Sequence, residues 1–339
     1  MSEPAAEPAF LALGMSPALD AVVGVDRLPR TGDVIRAAGA PAFAPGGKAL
    51  NAARHLAARG RTVALGGLVG ADDAAAFAAE LRARGVRDAM LRVPGPVRRN
   101  ATFVSPGGGS FKLNAPAFPA LRAEDWDGER VLGALLGAFP ERPAGAPAVA
   151  LLCGSLPRAV PPDFLARAVR RLAAAGAAVA VDASGAALRA ALGAEPDLAK
   201  PNREECEELL GFALRDEADF LRALRELLRF APRAILTDGA AACWFAERGE
   251  GPENPRVWRA APPAVAEADP TGAGDALLAE FCHRQDPRAP LSEDAMRHAV
   301  AAGAAAAARR GAEPAPAADV ESLAAEVRLE RVLRPSGAA

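Results

Sequence analysis

Short uninterrupted apolar runs alternate along this chain with longer segments of helical periodicity. That rhythm predicts parallel strands joined by crossover helices. Residues 10–15 predict the first buried strand, followed by strands at 62–68, 148–153, 178–182 and a short one at 197–200. Helices are predicted at 52–59, at 72–84 with Asp72 as cap, and at 162–175, ended by Gly176. Further helices are predicted at 216–230, 272–283, 292–310 and 318–327. Residues 234–237 and 241–246 flank Asp238-Gly239, a hairpin signal. Two β-like stretches, 22–42 and 97–113, interrupt the rhythm and are predicted to pair as a small sheet serving as a lid. The expected organisation is a single domain over 8–330. Its lid is drawn from about 20–45 and 96–114, with tails at 1–7 and 335–339. The Pro-rich stretches 138–147 and 250–255 read as surface loops, not linkers.

Composition narrows the function classes. Over 339 residues, 40 Lys+Arg face 42 Asp+Glu, a formal charge of −2. This balance lacks the basic footprint of a general nucleic-acid binder. No apolar run approaches the ~18 residues of a membrane helix, and the acidic, Pro-broken start lacks a secretory n-region. The expectation is therefore a cytoplasmic protein with no membrane partner. Cys153, Cys206, Cys243 and Cys282 stand far apart and read as buried thiols.

Only three of the 40 basic residues are lysine: Lys48, Lys112 and Lys200. Arginine serves a solvated face equally well, so a retained lysine suggests a site wanting a compact ammonium. Asparagine is also scarce, and Asn51, Asn100, Asn114 and Asn202 fall beside those lysines or beside Arg98-Arg99.

The richest segment is Asp269-Pro-Thr-Gly-Ala-Gly-Asp275, opening an apolar helix. Gly272, Ala273 and Gly274 would present unpaired N–H groups and the positive end of a helix dipole, an anion site. Asp275 beside it suits general-base removal of a hydroxyl proton. A Gly-rich turn with a capping aspartate fits the same spacing. A second segment, Gly46-Gly47-Lys48 before a helix carrying Asn51, is either a capped helix or an anion site. It is not a Walker loop, because Ala42 and Ala49 occupy that pattern's Gly and Ser/Thr positions. A dinucleotide fingerprint is absent too. In Lys200-Pro-Asn202-Arg-Glu-Glu205, Asn202 and Glu205 could hold a hydrated Mg²⁺ or form a capping box. Asp20 follows the first strand, at the end where open α/β sheets bind ligands. Arg98 and Asn100 could add donors for a phosphate.

In this order the segments resemble the PfkB (ribokinase-like) carbohydrate kinases, in particular the branch acting on phosphorylated hexoses. The resemblance implies a three-layer α/β fold with a mostly parallel central sheet, flanking helices and a small β-lid. It implies MgATP as donor and a sugar phosphate as acceptor, fructose-1-phosphate first, with tagatose-6-phosphate and fructose-6-phosphate as alternatives. Carried over by motif, Asp275 would be the catalytic base and Gly272, Ala273 and Gly274 the anion hole. Asp20 and Asn51 would contact sugar hydroxyls beside Gly46 and Gly47. Lys48, Arg98 and Asn100 would clamp the substrate's phosphate. Lys200, Thr237 and Gly239 would border the nucleotide, and Asn202 and Glu205 would organise Mg²⁺ through water. A homodimer formed through the lid is a family expectation. The chain departs from the family pattern at Ser16, Ala49, Thr237 and Glu280. A catalytically silent sugar-phosphate sensor on the same scaffold is the alternative class.

Overall fold

A computed structural model describes residues 9–37, 39–105, 110–118, 121–139, 147–251, 253–266 and 268–333. The chain opens with β1 (Ala9–Gly14), β2 (Ala18–Gly24) and β3 (Ala44–Gly46), then helix α1 (Lys48–Ala58), β4 (Val63–Gly70), α2 (Ala74–Ala83) and β5 (Arg87–Val93). Two strands of the small sheet follow, β6 (Arg98–Val104) and β7 (Ser110–Asn114), and then α3 (Gly128–Leu136). The βα rhythm resumes with β8 (Ala148–Cys153), α4 (Phe164–Ala174), β9 (Ala178–Asp182), α5 (Gly185–Leu192), β10 (Leu198–Ala199), α6 (Arg203–Leu210) and α7 (Glu217–Leu227). Three strands, β11 (Arg233–Asp238), β12 (Ala242–Glu247) and β13 (Arg256–Ala261), lead to α8 (Ala273–Arg284), α9 (Glu293–Ala307), α10 (Ala317–Glu326) and β14 (Arg328–Leu333).

The large sheet runs β14-β13-β12-β11-β10-β9-β8-β1-β4-β5. Every pair from β5 to β11 is parallel, and the last three strands pair antiparallel. Its central strands are buried along their whole length, as expected of a sheet covered by helices on both faces. Helices α1, α8, α9 and α10 pack on one another, and α3, α4 and α5 form a second group. From β1 the chain winds one way to β4 and β5, and from β8 the other way to β9 and β10. The crevice beyond the carboxyl ends of β1 and β8 is thus a topological switch point, where such sheets bind ligands. All four cysteines are free and buried. Among the described residues no helix is long and apolar enough to cross a membrane.

A second sheet, β3-β2-β6-β7, stands apart from the first. The register pairs Asp20 with Asn100 and Asn100 with Asn114, and it pairs Thr102 with Val22 and Lys112. Directly paired residues share a face, so Asp20, Arg98, Asn100, Thr102, Lys112 and Asn114 lie on one side. The other face is apolar: Ala21, Val23 and Val25 pack with Ile35, Ala101 and Phe103.

Several sequence expectations need correction. The first strand of the small sheet begins at Ala18, not 22, and the described residues of 25–43 carry only a bridge between Val25 and Ala37. Pro29, Gly32, Gly39 and Pro41 interrupt that stretch, and proline withholds the ladder donor. The cap of α2 is Asp73 rather than Asp72, and Asp73 turns its carboxylate to Val97 N–H and the Arg99 guanidinium, both at 2.9 Å. Five elements carried no predicted counterpart: β5, α3, α5, β13 and β14. Residues 140–146 of one Pro-rich loop lie outside the described residues, as does Pro252 of the other.

Candidate active site

The switch point holds a cavity of ≈ 180 Å³. Its walls come from the end of β1 (Gly14, Ser16), the start of α1 (Gly47, Lys48), the small sheet (Arg98, Asn114) and the loop after β8 (Gly154, Ser155). Among the described residues, two buried polar atoms of these walls have no hydrogen-bond partner: Ser16 Oγ and Arg98 Nε. An unpaired buried donor is costly, and both atoms belong to residues that line the cavity. Arg98 is held from behind by donating through Nη2 to the Ser16 carbonyl at 3.1 Å.

Asp20 reaches the same region from β2. Its side chain fills the space over Gly46, where an added Cβ would lie 2.0 Å from Asp20 Oδ2. Asn100 donates to Asp20 Oδ1 at 2.8 Å, and Asn100 Oδ1 accepts from Ala115 N–H at 3.2 Å. Burial raises the Asp20 pKa above the ordinary carboxylate range, against the opposing pull of Asn100 and Arg98.

On the far side, α8 begins in a left-handed turn at Gly272, φ 83°. Asp269 builds that turn: fully buried, it accepts from Thr271 N–H at 3.0 Å and Gly311 N–H at 3.1 Å. Among the described residues, the N–H groups of Gly272, Gly274 and Asp275 donate to no main-chain carbonyl, and that of Ala273 reaches only Pro270 O at 3.3 Å. The turn thus presents N–H groups without main-chain acceptors at Gly272, Gly274 and Asp275, while Ala273 N–H is partly engaged.

The Asp275 side chain is buried and accepts from Asn51 Nδ2 at 2.8 Å, while Asn51 Oδ1 is buried with no partner among the described residues. Asp182, at the end of β9, is 1% exposed and lies between two lysines, Lys48 Nζ at 2.7 Å and Lys200 Nζ at 2.9 Å. Lys48 Nζ also meets Glu205 Oε1 at 3.2 Å. Lys200 Nζ lies 3.4 Å from the position a Cβ on Gly274 would take, which brings the ammonium to the edge of the donor turn. This charge pattern drives the two aspartates apart. Burial and the charge of Asp182 push the Asp275 pKa up to about 6, against Lys48, Asn51 and Lys200. Burial opposes ionisation of Asp182 too, but Lys200 and Lys48 outweigh it and hold that carboxyl below its usual range.

The pfkB family carbohydrate kinase model matches residues 16–318. The chain belongs to the pfkB family of carbohydrate kinases. It is 34% identical to a 1-phosphofructokinase of Rhodobacter capsulatus over 265 residues, 78% of this chain and 80% of that one. A 1-phosphofructokinase of Xanthomonas campestris pv. campestris is 35% identical over 271 residues, with the same coverage of 78% and 80%. Among solved structures, phosphofructokinase-2 from Escherichia coli in complex with substrates and products superposes with a TM-score of 0.80 at 24% identity, covering 94% of this chain and 99% of that one. Family and relatives together place the chain among sugar-phosphate kinases, which transfer a phosphoryl group to an alcohol, and the architecture is ribokinase-like.

The structure gathers most, not all, of the residues the family pattern indicates. Lys48 and Arg98 line one cavity, but Asn100 is turned to Asp20, and Asn114 takes its place in the wall. Asn202 and Glu205 form the capping box of α6: Glu205 N–H donates to Asn202 Oδ1 at 2.7 Å, and Asn202 N–H to Glu205 Oε2 at 3.0 Å. Glu205 still turns its other oxygen to Lys48, so the cap and the site share one side chain. Thr237 bridges to Asn202, whereas Gly239 lies in the exposed hairpin turn beyond it. Asp182 was not among the candidates on spacing. An acidic residue ending a buried strand was the available signal; Asp20, singled out as following the first strand, lies instead within β2 of the small sheet.

Two departures from the family pattern acquire a physical reason. Ala49 packs its methyl over Gly14, where a Cβ would come within 2.7 Å, so the main-chain space released at one position is taken at the other. Glu280 is fully buried on α8, yet it is satisfied by His55 Nε2 at 2.6 Å, Arg59 Nε at 2.8 Å and Arg284 Nε at 3.0 Å. Two of these partners belong to α1 or its end, so the cluster ties α1 to α8, the helices that carry Asn51 and Asp275.

Proposed function

We propose that this chain transfers the terminal phosphoryl group of MgATP to a hydroxyl of a phosphorylated ketohexose, with fructose-1-phosphate as acceptor and fructose-1,6-bisphosphate as product. The observation that carries the reading is a buried carboxylate, Asp275, set in the first turn of α8 among unpaired N–H groups. Both sequence relatives are named 1-phosphofructokinase, which favours this acceptor. Tagatose-6-phosphate and fructose-6-phosphate are the alternatives. A silent sensor would have no use for a buried carboxylate beside unpaired N–H groups, so Asp275 and the turn before it favour the kinase reading.

In this reading the acceptor hydroxyl oxygen attacks the terminal phosphorus, and the bond from phosphorus to the β-phosphate oxygen breaks. The electron pair of that bond leaves with ADP, and the hydroxyl proton passes to Asp275. The raised pKa makes Asp275 a stronger base than a free aspartate while leaving it ionised at pH 7. The N–H groups of Gly272, Ala273 and Gly274 hold the phosphoryl oxygens in flight. Asn51 orients Asp275 through Nδ2 and offers its unpaired Oδ1 to a sugar hydroxyl, with Asp20 as the second acceptor. Arg98 and Ser16 receive the phosphate already on the sugar, joined by Lys48, whose third N–H is not used by Asp182 or Glu205. Lys200 and Thr237 border the nucleotide.

Magnesium fits only in an outer role. Among the described residues no three carboxylate, imidazole or thiol groups converge on one point. Asn202 and Glu205 supply oxygen ligands suited to the water shell of an ion held mainly by phosphates. When bound, the ion neutralises charge on the triphosphate.

Release of ADP, coupled to a reporter and measured with fructose-1-phosphate, fructose-6-phosphate, tagatose-6-phosphate and free hexoses, tests the acceptor. Fructose-1-phosphate should give the highest kcat/KM; turnover confined to free hexoses would reject the reading.

The pH dependence follows from the direction of the Asp275 shift. The base must be ionised, so kcat/KM falls as pH drops through its pKa near 6. Substrate phosphates also titrate near pH ~6, so a variant separates the contributions. Lys48→Met removes a cation that lowers the Asp275 pKa, and the acid limb should move up by about one unit. A limb that stays in place assigns it to the substrates.

The apolar outer face of the small sheet leaves Phe43 45%, Phe111 46% and Leu113 57% exposed. A second copy of the chain covering this face is the assembly these residues favour. Sedimentation showing only monomer at micromolar concentration would reject it.

A further inference from the structure

Lys112 is the one lysine that the reading above leaves without a task. It lies on β7, on the face of the small sheet shared with Asp20, Asn100 and Asn114. Its ammonium crosses to the other side of the cleft, where Nζ donates to Thr271 Oγ1 at 3.1 Å. Thr271 immediately precedes Gly272, and its own N–H is pinned by the buried Asp269. The side chain therefore ends beside the donor turn, on a rigid support.

The charges around that turn explain what a further cation would do. Asp182, Glu205 and Asp275 supply three carboxylates, while Lys48 and Lys200 supply two ammonium groups already engaged with Asp182 and Glu205. The interior thus carries a net negative charge where a triphosphate has to enter. Lys112 forms no ion pair with a carboxylate among the described residues, so its charge is free to act on an anion. A chain that holds 37 of its 40 cations as arginine also keeps a compact, rotatable ammonium here.

We propose that Lys112 is a catalytic residue carried by the small sheet: it leaves Thr271 for the oxygens of the phosphoryl group in flight when that sheet covers the bound substrates. The inference rests on the kinase reading. Lys112 accepts no proton and forms no bond; it adds positive charge where negative charge gathers in the transition state.

The test compares Lys112→Met and Lys112→Arg with the wild-type chain in steady-state ADP release, alongside calorimetric titration of fructose-1-phosphate and of MgADP. Lys112→Met should lower kcat about 10²-fold, with both dissociation constants held within about 3-fold, and Lys112→Arg should recover about tenfold of the loss. A kcat loss below about 3-fold would overturn the proposal. So would a loss carried by KM and the sugar-phosphate dissociation constant alone, since Lys112 would then be a latch between sheet and loop. Equal kcat values for the two variants would overturn the role of charge. Failure of the kinase reading shows separately, as absent turnover in the wild-type chain.

Discussion

Asp275→Asn is expected to lower kcat about 10³-fold, equivalent to about 4 kcal/mol of transition-state stabilisation. The amide preserves the shape of the site: its oxygen can still accept from Asn51 Nδ2, the present partner of Asp275 at 2.8 Å. It cannot take a proton from the acceptor hydroxyl. Dissociation constants for MgADP and sugar phosphate should stay within a few-fold, because the donor turn and the Arg98 cavity are untouched. The stability of the variant carries a second, independent expectation. A carboxyl with a raised folded-state pKa ionises less easily in the fold than in the unfolded chain, so at neutral pH its charge weakens the fold. Replacing it with a neutral amide also removes repulsion from Asp182. The melting temperature at pH 7 should therefore stay constant or rise while activity collapses, as when a functional group is held at a cost to the fold. Near-normal kcat would remove Asp275 from the mechanism, and a large fall in melting temperature would show a structural role instead.

Gly272→Ala tests the other half of the site. Gly272 has φ 83°, and a Cβ there would lie 2.8 Å from Ala312 Cβ. An L-residue in that conformation costs about 1–2 kcal/mol, and the contact adds strain that the turn can relieve only by shifting. A shift moves the N–H groups that the proposed function assigns to the phosphoryl oxygens, and misplacement by about 1 Å lowers rates about 10²-fold. The expected result is a kcat fall of about that size, with sugar-phosphate affinity preserved and a chemical-denaturation midpoint only moderately lower. Loss confined to KM for the sugar phosphate would place the turn elsewhere than at the reacting phosphorus.

How far the sequence could be read depended on where each residue finds its partners. The central strands β1, β8 and β9 are buried on both faces, so their composition announces them. The strands at the two edges, β5 and β14, mix arginines and carboxylates with apolar residues because their surroundings are half solvent, and no clean period remains. Helix α3 contains two glycines and α5 begins with one, which blunts the helical signal of each. Within the candidate site, Gly272, Gly274 and Asp275 share one local turn, so their order in the chain suggested that turn directly. Lys48 stood out in the sequence as a scarce lysine, but its partners Asp182 and Glu205 lie 134 and 157 residues away, and no local spacing reveals them. Glu280 looked like an anomaly in an apolar helix, since the histidine and arginine of α1 that satisfy it lie more than 220 residues back.

The most direct test of the donor turn uses a mimic of the phosphoryl group in flight. Fluoroaluminate should be titrated by calorimetry into the wild-type chain and the Gly272→Ala variant, each with MgADP and fructose-1-phosphate present. The wild-type chain should bind it at least about 10²-fold more tightly than the variant. Equal affinity in the two proteins would contradict a phosphoryl group passing over the start of α8.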